Sequence, residues 1–442
     1  MSTRMQVRPV QPALVGLVAV FTGLVLAIPA QATNPGTDGE ISYVRQGSGT
    51  RSDLFSMNSN GSEKGRLTRS RTVGEATPSW SPTGSLLAFQ GIRDGERRIF
   101  VRNAATGVVR QVSSGPSADR FPTWSPNSRD IAYRSLRCRG CDALGDADIY
   151  TVGRTGGARV KLTTQAGINT DPAWSPDGAH ISFASNTDGN YDIYVMNADG
   201  SGVIQLTNDG AGPPAITNRF PNWSPDGTRI AYVSTRNNQN EEIYVMDVSG
   251  GLALDPPTTR LTTDPARDRS PSWSPSGSKI AFASNRDGDY DIWTMNAADG
   301  TGLAKLTTGT AKETEPSWQP LVGCTIVGTN GNNAISGTPG ADVICALGGN
   351  DTIGTGGGAD RIYGGPGDDV ISSASGNDVL NGGRGADVLR SGAGRDRLFG
   401  ADGNDTFFTR DRQRDRLDGG PGRDRARPDR RLDRRVRIEA LF

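Results

Sequence analysis

Histidine is almost missing from this sequence: one residue, His180, in a chain of 442. A single imidazole excludes a His-based metal centre and leaves a Ser-His or Cys-His pair only that residue to use. His180 opens an alternating run directly after a turn, where a strand or surface residue is tolerated. Net charge is lacking too. Forty-eight Lys and Arg balance 48 Asp and Glu, so no global basic charge asks for nucleic acid. Beyond residue 32 no apolar run approaches the roughly 20 residues that cross a bilayer, so no stable membrane insertion is expected. Cysteines number four. Cys138 and Cys141 form one close pair and Cys324 and Cys345 another. Nothing brings the pairs together, so the expected disulfides are Cys138–Cys141 and Cys324–Cys345. The CxxC spacing is also that of a redox motif, but it lies in an inserted loop (136–147) with no helical pattern after it. What the chain does have is 59 glycines and 26 prolines against 34% hydrophobic residues. Few helices survive such punctuation, and an all-β chain is expected.

Residues 1–32 have the form of an export signal. Arg4 and Arg8 precede an uncharged, mostly apolar run from Ala13 to Ile28, and Ala30-Gln31-Ala32 supplies a small-x-small cleavage pattern. The rival is an uncleaved anchor. The expectation is an exported, monomeric protein beginning near Thr33, extracellular or at the cell surface, with the periplasm as the alternative. Export permits disulfides.

One unit recurs over residues 40–320. Its clearest copies are DPAWSPDGAHISFASNTDGNYDIYVMNADGSGVIQLT (171–207) and SPSWSPSGSKIAFASNRDGDYDIWTMNAADGTGLAKLT (270–307). Trp80, Trp124, Trp174, Trp223, Trp273 and Trp318 anchor the copies at intervals of 44 to 50 residues, the size of a propeller blade. Each copy reads as four short strands separated by Gly, Asp and Asn turns. The chain opens on a second-type strand, Ile41-Ser-Tyr-Val44, with no Trp strand before it. The missing strand stands at the far end, Glu315-Pro-Ser-Trp-Gln-Pro320. It should complete the first blade and close a six-bladed ring with no long free edge.

The motifs PSWSPxG, IAFxSxRDG, DIYxMNxDG and KLT resemble the TolB-type propeller repeat. The resemblance implies six blades and binding of proteins through the faces and the channel mouth. TolB itself also carries an N-terminal α/β domain. Little chain separates Ala32 from the strand at Ile41, so that domain and its partners are not expected here. Prolyl-oligopeptidase-like peptidases use similar propellers but need a hydrolase domain with a Gly-x-Ser-x-Gly elbow, and the chain has neither that elbow nor a βα alternation after 320.

After Cys324 glycine takes over. Aspartates fall every nine residues: Asp342, Asp351, Asp360, Asp369, Asp378, Asp387, Asp396 and Asp405, with Asn333 in phase before them. A glycine precedes each by two positions (Gly349, Gly358, Gly367, Gly376, Gly385 and Gly394 among them), and an apolar residue such as Ile371 follows by two. The best copies add a leading pair, Gly364-Gly365 and Gly382-Gly383. This resembles the GGxGxDxUx pattern of RTX repeats, which implies a parallel β-roll of 18-residue coils for residues 324–408. It implies several Ca²⁺ ions held by these aspartates and by turns containing Gly349, Gly358, Gly365, Gly367, Gly376, Gly383, Gly385 and Gly394. Calcium takes six to eight hard oxygens, more than one turn offers, so sites shared between turns are expected, with Kd on the order of 0.1–1 mM. Alternate aspartates should stack on opposite edges. Turns with degraded glycines, as before Asp351 and Asp378, should bind weakly, and off-phase Asp368 and Asp402 read as surface charges. The rival is a disordered Gly/Asp linker.

Residues 409–442 are rich in Arg, yet Asp415, Asp424 and Asp433 keep the interval with a one-residue shift. They read as a degenerate roll end, with a disordered tail as the rival. The whole is an all-β chain, a six-bladed β-propeller followed by a parallel β-roll. Its expected role is calcium binding with recognition of a protein or cell-surface polymer at the propeller face, without catalysis. The alternative is a hydrolase or lyase using acids on a propeller face, such as Asp188, Asp287 or Asp289.

Overall fold

The computed structural model describes residues 37–441, apart from 48–50, 69–73, 116, 137–146, 211–214, 238, 322, 410, 430 and 431. The expected export signal and the Cys138–Cys141 pair lie outside the described residues.

Every described element is a strand. Residues 37–321 form six four-stranded antiparallel sheets. In five of them the strands run in chain order, as in Asn218–Trp223, Arg229–Ser234, Glu242–Asp247 and Thr258–Arg260. The sixth closes the ring as the spacing predicts: Lys312–Leu321, from the far end, pairs antiparallel with Thr37–Gln46, placing Trp318 opposite Ile41.

The repeat motifs have local causes. In Ser-Pro-Asp-Gly, Ser224 donates to Asp226 (2.6 Å), whose same oxygen accepts the Thr228 amide (3.0 Å), and Gly227 takes the positive φ that ends the turn. In DIY…LT, Thr207 donates to Asp192 (2.7 Å) and accepts the Ile193 amide (2.9 Å). The pair recurs as Thr163–Asp148, Thr307–Asp291 and Thr262–Glu242. These buried acids therefore have a structural partner. Between blades the core is aromatic and aliphatic. Trp223 packs with Ala173, Ile193 and Val195 of the preceding blade and with Ile230 and Tyr232 of its own, so each Trp is shared by two blades.

From Ile326 the chain coils into a solenoid of two parallel seven-stranded sheets that pair residue i with i+18, such as Ile353 with Ile371 and Ile362 with Leu380. Ile344, Ile353, Ile362, Ile371, Leu380, Leu389, Leu398, Phe407 and Leu417 form one fully buried file between the sheets. Cys324 and Cys345 are disulfide-bonded, tying the entry strand to the first coil as expected. The Arg-rich tail continues both sheets through Arg416–Asp418, Arg425–Pro428, Arg434–Val436 and Ala440–Leu441. Its one-residue shift is real: Asp396 and Asp405 bond partners 19 rather than 18 residues on.

Candidate metal centre

The predicted aspartates stand in two stacked rows, one along each edge of the solenoid. In each row the backbone amide of one Asp donates to Oδ1 of the next. Asp351, Asp369, Asp387, Asp405 and Asp424 are linked in this way, as are Asp342, Asp360, Asp378, Asp396, Asp415 and Asp433, at 2.8–3.0 Å. One oxygen of each carboxylate is thus spent on the coil.

The other oxygen is left over. Oδ2 of Asp351, Asp360, Asp369, Asp378, Asp387, Asp396, Asp405, Asp415 and Asp424 is buried with no hydrogen-bond partner. A buried charge without a partner is costly. Burial pushes the Asp369 carboxyl up to about 8 and Asp405 to about 7, and it raises Asp387 well above the ordinary range. Burial also takes Asp415 to about 7 and Asp351, Asp396 and Asp424 to about 6.

Glycines leave room beside these oxygens. A Cβ added to Gly364 would lie 2.3 Å from Asp369 Oδ2 and 2.6 Å from the Gly382 carbonyl. One on Gly382 would lie 2.2 Å from Asp387 Oδ2, and one on Gly400 would lie 2.1 Å from Asp405 Oδ2 and 2.6 Å from the Gly419 carbonyl. A free carboxylate oxygen and a main-chain carbonyl from the next coil therefore flank one small space. Among the described residues no three His, Cys, Asp or Glu side chains cluster as a metal cage. Oxygen-only donors, one carboxylate per turn and main-chain carbonyls suit a hard cation such as Ca²⁺, and the residues present fit it. When bound, the ion would neutralise the carboxylate row, and Asp369, Asp387 and Asp405 with their turns would hold it.

Side chains of the roll reach across to the propeller. Asp402, read as a surface charge, accepts both its oxygens' bonds from Arg102 of the second blade (3.0 and 2.8 Å), and Arg102 is 3% exposed. Arg384 reaches Glu40 of the first blade (Nε to Oε1, 3.0 Å) and passes over Gly65, where a Cβ would strike its guanidinium. Asn330 donates to Ser59 (2.8 Å). Arg384 and Asp402 sit at the same position of consecutive turns on the Asp387 edge. That edge faces the propeller across a cleft of about 1340 Å³ lined by Arg66, Arg93, Asp368, Arg384 and Arg423 among others. Asp368 remains exposed, as expected, and accepts the Ala386 amide (2.7 Å).

At the propeller axis each innermost strand carries one residue of positive φ before a proline: Thr77, Phe121, Asp171, Phe220, Ser270 and Glu315. Each sits at a register shift in its sheet or strand pairing, and a bulge re-aims side chains. The six line a pocket of about 150 Å³. Its acids are engaged: Asp171 pairs with Arg219 (3.0 Å) and Glu315 accepts the Thr77 amide (2.6 Å). The loop acids are engaged or open to water. Asp188 accepts from Gln205, Asp287 pairs with Lys305, and Asp289 is exposed. Among the described residues no helix is long and apolar enough to cross a membrane.

The comparisons with known proteins agree with this geometry. The TolB beta propeller domain family matches residues 36–218 and 212–339. The RTX calcium-binding nonapeptide repeat matches 347–380, 354–389 and 372–407. A Protein TolB homolog of Chlorobium luteolum is 33% identical over 158 residues, 36% of this chain and 34% of that protein. An uncharacterised protein of Agrobacterium fabrum is 31% identical over 134 residues, 30% of this chain and 43% of that protein. The chain thus spans less than half the length of these relatives. The crystal structure of TolB from Acinetobacter baumannii shares the fold at 23% identity and a TM-score of 0.55, over 64% of this chain and 67% of that one. The chain belongs to the TolB β-propeller family and carries RTX calcium-binding repeats behind its propeller.

Proposed function

We propose that this is an exported calcium-binding protein whose propeller is a non-catalytic recognition platform for a protein or cell-surface polymer. The observation that carries the calcium reading is the row of buried carboxylate oxygens without partners beside glycine cradles. Support for the platform comes from the channel mouth. Phe121 and Phe220 meet edge to face there, centroids 6.3 Å apart, and Arg219 lies over Phe220. Aromatic and Arg side chains are the usual anchors of recognition surfaces. The non-catalytic reading is supported by the acids: those at the mouth and in the DIY motifs are committed to Arg, Thr or main-chain partners.

The test is calorimetric titration of the EDTA-stripped full chain with calcium chloride. Saturable binding at 0.1–1 mM in order of magnitude is expected, and an absence of heat up to 10-fold higher concentration would refute it. Turnover on a peptide or glycan panel that disappears with Asp171→Asn or Glu315→Gln would instead establish an enzyme.

A further inference from the structure

The two edges of the roll look alike in spacing and differ at the position that leads each turn. Five residues before each aspartate, the edge facing the propeller carries Gly364, Gly382, Gly400 and Gly419, ahead of Asp369, Asp387, Asp405 and Asp424. The far edge carries Thr355, Ser373 and Ser391, ahead of Asp360, Asp378 and Asp396. We propose that calcium loads only the edge facing the propeller, and that these hydroxyl side chains keep it off the far edge. This rests on the calcium reading above.

The space decides it. At all four glycines a Cβ would come within 2.1 to 2.3 Å of the free aspartate oxygen, closer than any real side chain approaches. The space can stay open only because the residue is glycine. On the far edge a Cβ and a hydroxyl occupy that position. The Ser373 and Ser391 hydroxyls lie beside Asp378 and Asp396 and draw those carboxyls down against burial. Neither hydroxyl makes a well-aligned bond, and both are buried, so they act first by filling the cradle. The two ends of the ladders follow the same logic. Asp342 keeps a leading glycine, Gly337, but the Thr338 amide (2.6 Å) and hydroxyl (3.1 Å) already take its Oδ2. Before Asp351 the position is filled by Ala346, which is fully buried.

Backbone conformation does not stand in the way of a swap. Gly364, Gly382, Gly400 and Gly419 have no positive φ, and at Gly382 the three nearest atoms to an added Cβ all belong to the Asp387 side chain, so serine is best tested there. Four glycine turns enclose three gaps, so about three ions are expected.

The test is the calcium count by native mass spectrometry of the full chain, stripped with EDTA and refilled with calcium chloride, with calorimetry for affinity. Asp387→Asn and Gly382→Ser should each lose at least one ion. Asp378→Asn should lose none, and the double variant Ser373→Gly with Ser391→Gly, which places two consecutive glycine turns around one gap, should gain one. Equal losses from Asp378→Asn and Asp387→Asn would overturn single-edge loading, and this pair decides even where Gly382→Ser fails to fold. An unchanged count in that double variant would overturn the role of the hydroxyls. Binding of no calcium by the wild-type chain would sink the proposed function itself, a different result from equal loading of both edges.

Discussion

The propeller and the roll are both repeats of strands, yet they are held together in opposite ways. Each blade lends a Trp and several aliphatic or aromatic side chains to the next, and the ring closes on itself through Lys312–Leu321. Most of its buried acids are matched, such as Asp192 with Thr207 and Asn218 and Asp268 with Arg286, and unpartnered oxygens are scattered, as on Asp119 and Glu313, rather than stacked in a row. The roll buries one large apolar residue per nine, in single file, and stacks its acids with one oxygen each unmatched. A propeller can stand on its own packing. On the proposal above, a roll of this composition is expected to need a cation to complete it.

Removing calcium should break the comparison most sharply. In excess EDTA, backbone amides of 330–441 should lose hydrogen-exchange protection, while those of 37–321 keep theirs. Equal protection in both regions with and without calcium would contradict the difference in construction.

Core truncation is the next largest effect. Trp223→Ala should cost the propeller about 3–5 kcal/mol, with or without calcium. Leu380→Ala should cost the roll about 2–5 kcal/mol, measurable by denaturant unfolding only in calcium. A calcium-dependent cost for Trp223→Ala would mean the two regions unfold as one unit.

The junction comes third. Arg102→Ala leaves Asp402 partly buried against the propeller without its cation. Breaking a buried pair costs about 3–5 kcal/mol, and Asp402, whose side chain is 23% exposed, should fall at or below the lower end. The expected readout is faster proteolysis near residues 321–324 and a larger radius of gyration in solution scattering. Unfolding of the isolated regions should hardly change.

Much of this was legible in the sequence because repeats announce themselves. The six anchoring Trp residues, the strand displaced to the far end and the nine-residue phase of Asp each mark a structural element of the fold. The junction was not legible. Arg102 and Asp402 are 300 residues apart, and Arg384 and Glu40 344. Each is one charge among 96, with no period to mark it. Asp402, off phase, reads from the sequence as a surface charge. The edge difference lay in plain view, but in every second repeat: a period of 18, which averages away when the repeat is read as nine. Only the coiled geometry makes alternate turns neighbours.

The pH effect is the most discriminating, because its sign should differ between the regions. Burial raises the folded-state pKa of Asp369 to about 8 and of Asp405 and Asp415 to about 7, against about 3.9 in an unfolded chain. Between those values the folded roll holds more protons than the unfolded one, so its stability without calcium falls as pH rises from about 4 to about 8. A proton there does part of the work of the ion. In EDTA, strand circular dichroism lost at pH 8 should partly return at pH 5. With calcium present the trend should reverse, because the ion competes with those same protons and binds more tightly as they leave. The propeller has raised acids as well, Glu75 and Glu313 at about 7, chiefly through burial. Its melting temperature should therefore fall with rising pH whether or not calcium is present. A roll whose pH trend keeps one sign in EDTA and in calcium would show that the ion does not sit on these carboxylates.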